Sequence, residues 1–152
     1  MAGLTSALCT SFKVELLEGD HDFNNGADAF KVALFKANAS ITGTYDATTT
    51  NYSDMTGNSD ELAATGNYST GGFALTNVNP TSTGTTAFTD FSANASWSSA
   101  TFTTRGCLIY NTSDGNSAVA VIDFGADYAV SGGTFEIQWP AADSTNAIIR
   151  IA

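Results

Sequence analysis

The chain has 152 residues, with 15 acidic and 5 basic side chains and a formal charge of −10. That balance excludes nucleic acid and anionic membranes as main partners, because both are bound through clustered Lys and Arg. No run approaches the roughly 18 apolar residues of a membrane-spanning helix, and Met1 to Cys9 lack the basic and apolar regions of a secretory signal.

The first element in chain order is a predicted short helix. Leu4, Leu8, Phe12 and Leu16 recur at a spacing of four, with Leu17 widening the stripe. Thr5 or Ser6 is its expected cap and Gly19 its stop. Asp20 to Gly26 reads as a turn-rich loop. Ala29 to Lys36 then reads as a strand with bulk on both faces. Residues 38–71 lack periodicity and carry spaced aromatics, Tyr45, Tyr52 and Tyr68. Helical turns are possible at Asp46 to Tyr52 and at Asp60 to Ala64. So long an irregular connection is usually functional, and it is read as an excursion that reaches a neighbour.

From Gly72 the pattern is β. Strands are expected at Phe73 to Val78, Thr85 to Ser92, Ala100 to Asn111, Ala118 to Phe124, Thr134 to Trp139 and Ala147 to Ile151. Gly106 marks a bulge, and Asp114-Gly115 and Gly132-Gly133 mark turns. The fold class is therefore mainly β, an antiparallel sandwich or jelly roll with a short N-terminal helix. One domain spans 1–152: a helix or arm at 1–19, then a β-domain at 20–152 carrying the 38–71 excursion. Val32, Leu34, Leu108, Val121, Ile122, Phe124, Ile137 and Ile149 are the expected core.

The chain holds 22 Thr, 15 Ser and 12 Asn, and only 13% of its residues are charged. Low-entropy polar side chains must then cover the surface, which suits a protein packed against copies of itself. Cys9 and Cys107 lie far apart and are read as buried, unbonded thiols in a reduced compartment.

Chemistry-bearing constellations are sparse. His21, the one histidine, sits between Asp20 and Asp22 as a general base beside a carboxylate would. There is no G-x-S-x-G elbow to supply a nucleophile, and His21 is read instead as a loop histidine that caps the preceding helix or bonds backbone. Asp20, Asp22 and Asn24 begin like a calcium loop, but Asn25 replaces the required Gly and Lys31 the required Glu. Arg105, one of two Arg, is expected to pair with a carboxylate inside the sheet or across a subunit interface. No catalytic, cofactor-binding or metal-binding residue is assigned.

Several stretches recur in a recognisable order: Ser11-Phe12-Lys13, Glu15-Leu16-Leu17, His21-Asp22-Phe23, Phe30 to Leu34, Gly66 to Gly72, the Trp97 region, Leu108 to Asn111, Ala120 to Gly125, and Ala147 to Arg150. This order resembles a family of small virion proteins of tailed bacteriophages. The resemblance implies a non-enzymatic, cofactor-free capsid decoration (cement) protein that stabilises the head. Its partners would be copies of itself, as a trimer, and the major capsid or another virion protein. It would be made in the host cytoplasm and end on the capsid surface. The candidate interface comprises Leu4, Leu8 and Phe12 of the helix, Tyr45, Tyr52 and Tyr68 of the excursion, Trp97 and Arg105. Removal of residues 1–19 should then weaken assembly more than the β-fold. The alternative is a carbohydrate- or receptor-binding β-domain of a tail fibre or adhesin, whose stacking platforms would be Tyr45, Tyr52, Tyr68, Trp97 and Trp139.

Overall fold

In the structure, a computed structural model that describes residues 2–152, the chain is mainly β and its sheets are antiparallel apart from one short parallel pair. The N-terminal segment departs from the predicted helix. Gly3–Leu4 (β1) pairs in parallel with Thr44–Tyr45, and Ala7–Leu8 (β2) pairs with Val121 and Ala120. The helix, α1, is only Thr10–Glu18. Thr5, being β-branched, favours extended backbone, and Cys9, also extended, stands at the N-cap without a side-chain cap. Leu4 and Leu8 thus meet the core from strands. Gly19 ends α1 as expected, at φ 89°, with its N–H bonded to the Glu15 carbonyl at 3.0 Å. Cys9 and Phe12 are fully buried and Leu4 packs on the same core. Residues 2–19 are therefore part of the fold.

Phe30–Lys36 (β3) is the expected central strand. A 3₁₀ turn at Asn38–Ser40, the short strand Thr44–Tyr45 (β4) and the helix Tyr52–Gly57 (α2) follow. Asn51 and Asp54 form a capping box on α2, so the helix begins where a turn was expected to end, and Asp60 to Ala64 is not helical. The next strands are Phe73–Ala74 (β5), Thr81–Thr83 (β6) and Thr86–Thr89 (β7), the first and last shorter than expected.

Ala95–Asn111 (β8) and Ser117–Ile137 (β9) form one long hairpin turned at Asp114-Gly115, and Ile149–Ile151 (β10) closes the chain. The sheet order is β2-β9-β8-β3-β5, with β10-β7-β6 as a second sheet. Phe91, just past β7, meets Phe30 of the main sheet at 6.1 Å, and Ile149 of β10 joins the same core. Buried Asp90 accepts from Phe91 N and Ile148 N, which ties the last strand down.

The hairpin corrects the expected turn at Gly132-Gly133. Ser131 pairs with Thr101 and Gly133 with Ala100, so Gly132 is a one-residue bulge at φ 67°. Phe124 to Asp127 form a larger bulge opposite Arg105 alone, between the pairs Gly106–Asp123 and Thr104–Tyr128. Gly106 is required there, since a Cβ would lie 2.2 Å from the Ile122 carbonyl oxygen. The two bulges bend β9 enough to bring Phe124 within 6.1 Å of Phe135.

Val32, Leu34, Leu108, Val121 and Ile149 are buried as expected. Ile122, Phe124 and Ile137 are only half-buried. They lie on β9 beyond the reach of β2, where no further strand covers them.

Candidate functional site

Two adjacent carboxylates absorb most of the chemistry of the 38–71 segment. Asp60 is fully buried. It accepts from Thr42 N at 3.0 Å, Gly43 N at 2.7 Å and the Tyr45 hydroxyl at 2.8 Å, and pairs with Lys36 Nζ at 2.9 Å. Burial alone would raise its pKa. The Lys36 ammonium and the three neutral donors outweigh burial and bring it down to about 2. Glu61 accepts from the Tyr52 hydroxyl at 2.6 Å, the Tyr68 hydroxyl at 2.8 Å and Gly71 N at 2.7 Å. Tyr68 in turn accepts from Leu34 N of β3 at 3.0 Å. Burial, reinforced by Glu61, raises the Tyr68 pKa and keeps it the donor. Tyr52 stacks on Tyr110 at 4.4 Å. The excursion is therefore folded back onto its own sheet.

The expected interface set is redistributed accordingly. Phe12, Tyr45, Tyr68 and Trp97 are buried in the chain's own core, and Tyr52 is half-buried on Tyr110. Trp97 packs on Tyr68, Phe73 and Phe135. Leu4 and Leu8 are half-buried against the core. Arg105 pairs with Asp123 across β8–β9, Nε to Oδ1 at 2.7 Å and Nη2 to Oδ2 at 3.2 Å, and holds that carboxyl below its ordinary range. None of the eight side chains is one of the strongly exposed large apolar residues, which are Val14, Leu17, Tyr128 and Ile151.

His21 is buried between α1 and the β8–β9 turn. Asn111 Oδ1 accepts from Ser113 N at 2.9 Å and Asp114 N at 3.3 Å, which turns its Nδ2 toward Asp28 and His21. Nδ2 lies 2.9 Å from His21 Nδ1, so that nitrogen is an acceptor and Nε2–H donates to Glu15 Oε2 at 2.9 Å. Both ring nitrogens are engaged in fastening α1 to the sheet. Glu15, His21 and Asp114 each bring a potential ligand atom within 4.8 Å of the others. A metal on Nε2 would need the proton on Nδ1, facing an amide donor, where metal-bound histidines present that N–H to an acceptor. The donor set does not fit a metal. In the preceding loop, Asp22 accepts from Asn24 N and Asp28 from Asp22 N, so these carboxylates hold their own loop.

Among the described residues, a groove of about 380 Å³ is built on the distal half of β9. Ile122, Phe124, Tyr128, Phe135, Ile137 and Trp139 supply its apolar wall, and Glu136 and Gln138 its polar groups. The two bulges create it by folding Phe124 toward Phe135 while leaving Tyr128 half-exposed. The Trp139 indole donates to the Ala93 carbonyl at 2.9 Å, which fixes that end. Along the same strand, β2 pairs only with Val121 and Ala120, and the Ser6 hydroxyl accepts from Asp123 N at 2.9 Å. Beyond that point no strand pairs with the outer edge of β9 among the described residues.

No family model, curated protein or solved structure matches the chain.

Sequence reasoning placed three groove residues, Ile122, Phe124 and Ile137, in the core and missed the groove itself. One signal was available: Asp127 and Glu136 interrupt an otherwise apolar and small-residue run, as charges on sheet edges do.

Proposed function

We propose that the chain is a non-enzymatic structural protein of a tailed-phage virion, an oligomeric decoration protein that stabilises the head. The observation that carries this reading is the apolar groove beside an open strand edge. An apolar groove beside an unpaired strand edge suits the docking of another chain by strand addition. The groove's lining offers one carboxylate, Glu136, and no acid–base or nucleophile pair. His21, the residue best suited to proton transfer, is spent on Asn111 and Glu15. The family resemblance supplies the virion setting. Self-association has a separate surface on α1, where Val14 is 51% and Leu17 89% exposed.

Sedimentation velocity of the full-length chain, together with co-sedimentation on capsid shells, tests the reading. Copies that carry a charge of −10 repel one another. Association through apolar contacts should hold or strengthen between about 10 mM and about 1 M salt as that repulsion is screened. Leu17→Glu should weaken it. A chain that stays monomeric at high micromolar concentration and does not bind a shell overturns the reading. The receptor-binding alternative has lost its main support, since Tyr45, Tyr68 and Trp97 are buried and Tyr52 is stacked on Tyr110. Sugar binding on a glycan array that moves Trp139 fluorescence would restore it.

A further inference from the structure

The groove is anionic as well as apolar. Glu136 Oε1 accepts amide protons from Asn94 at 3.2 Å and Gln138 at 3.0 Å, both neutral donors that leave the carboxylate charge uncompensated. Asp127 on the same strand accepts from the backbone N–H of Asn38 at 3.0 Å. From Ser117 to Ile137, β9 carries Asp123, Asp127 and Glu136 and no Lys or Arg. Arg105 is taken by Asp123 and Lys36 by Asp60. The remaining cations lie on other elements: Lys13 on α1, Lys31 on β3 and Arg150 on β10.

Beside the groove, the unpaired edge runs from Tyr128 to Ser131 and from Gly133 to Ile137, separated by the Gly132 bulge, and the second stretch faces a further bulge at Ser98 and Ser99 of β8. An occupant that uses both features is an extended chain. Its backbone pairs with the edge, and every second side chain enters the groove. A second copy of this protein is poorly matched. Edge-to-edge pairing about a twofold axis is antiparallel. Centred on the Gly132 bulge, it sets Tyr128 of one copy against Glu136 of the other, and because β9 carries no Lys or Arg the second edge brings Glu136 no cation and only further negative charge.

We propose that the β9 edge and groove take an extended segment of another protein, with alternating apolar side chains and a Lys or Arg that reaches Glu136. This inference rests on reading the groove as a protein-docking site and adds the chemistry of what docks. The match works as charge complementarity does at other interfaces: the apolar residues supply contact and the cation selects the partner.

The test uses isotope-labelled full-length protein and three synthetic peptides of about nine residues, a typical strand length. One alternates Val and Thr with Lys at both ends, the second carries Glu at the ends instead, and the third is the Lys peptide with a central Pro. The Lys peptide should shift the amide resonances of Tyr128 to Trp139. At low salt it should bind about fivefold tighter than the Glu peptide, the upper range for one exposed ion pair. The preference should vanish in Glu136→Gln, an exposed position whose substitution leaves the fold intact, and the Pro peptide should not bind. The proposal is overturned if the Lys peptide leaves these amides unmoved at millimolar concentration, or if its preference survives in Glu136→Gln. It is also overturned if the free chain forms a dimer that Tyr128→Lys abolishes, because a second copy is then the occupant. Peptide failure with capsid-shell binding intact removes this inference alone. Failure of both removes the docking reading with it.

Discussion

The 38–71 segment and the distal half of β9 look opposite in sequence and are opposite in structure, but with the roles exchanged. The first is aperiodic, rich in Thr, Asn and Gly, and reads as exposed. It nevertheless buries Tyr45, Met55, Asp60 and Tyr68 almost completely. The second reads as a turn at Gly132-Gly133 leading into a strand with apolar alternation at Thr134 to Trp139, and it leaves Tyr128 half-exposed and a groove open beside it. Backbone regularity and burial are separate properties. An irregular segment can be buried when side chains satisfy its backbone groups, as Asp60 does for Thr42 and Gly43 and Glu61 does for Gly71. A regular strand remains on the surface when nothing is left in the chain to cover its edge.

The largest break in this comparison should come from Asp60→Ala. It leaves the N–H groups of Thr42 and Gly43 without their acceptor and takes the counter-charge from the partly buried Lys36 ammonium, which keeps only the Ser59 carbonyl, and urea unfolding should show a loss of about 2–4 kcal/mol. A loss below about 1 kcal/mol would mean that the excursion is held by packing alone.

Acid titration should isolate the same carboxylate. Asp60 is depressed to about 2 from an ordinary value of 3.8, so its contribution is complete above about pH 4 and disappears as the pH falls toward 2. Asp90 is shifted the other way by burial, so it gains on acidification and masks part of the effect in the wild type. The measurement is therefore the stability gap between wild type and Asp60→Asn. That gap should narrow by about 2 kcal/mol between pH 5 and pH 2. A gap independent of pH would show that charge is not what Asp60 supplies.

Tyr68→Phe sharpens the role of Glu61. It removes the hydroxyl that bridges Glu61 to Leu34 N and leaves that buried N–H without its acceptor. The expected cost is about 1–2 kcal/mol by chemical denaturation. At the small end, Tyr128→Ser and Glu136→Gln should change stability by no more than about 0.5 kcal/mol, because both side chains are exposed. A larger loss from either would place the groove in the structural core and remove it as a docking surface.

The sequence was read most successfully where short-range chemistry decides. Gly19 stops α1, Asp114-Gly115 turns the long hairpin, Gly106 sits at a bulge and Arg105 meets a carboxylate within its own sheet. Each follows from a backbone preference or a charge that acts over a few residues. The N-terminal helix was misplaced because Leu4, Leu8, Phe12 and Leu16 fit one helical stripe as well as two strands followed by a short helix. Only pairing with β4 and β9 selects the second.

The candidate site was the least legible part. By itself the sequence determined that the fold is an antiparallel β-protein, that its core includes Val32, Leu34, Leu108, Val121 and Ile149, and that its charge is strongly negative. Whether an aromatic residue faces inward or outward was decided by tertiary structure alone. Tyr68 and Tyr128 are the same residue type, each flanked by small residues, and one is 1% and the other 51% exposed. The difference is that Glu61 and Leu34 lie where the folded chain can bond Tyr68. Tyr128 follows a four-residue bulge past the last strand that could cover it. Period and propensity act along the chain, whereas cover is a property of whatever else the fold brings alongside.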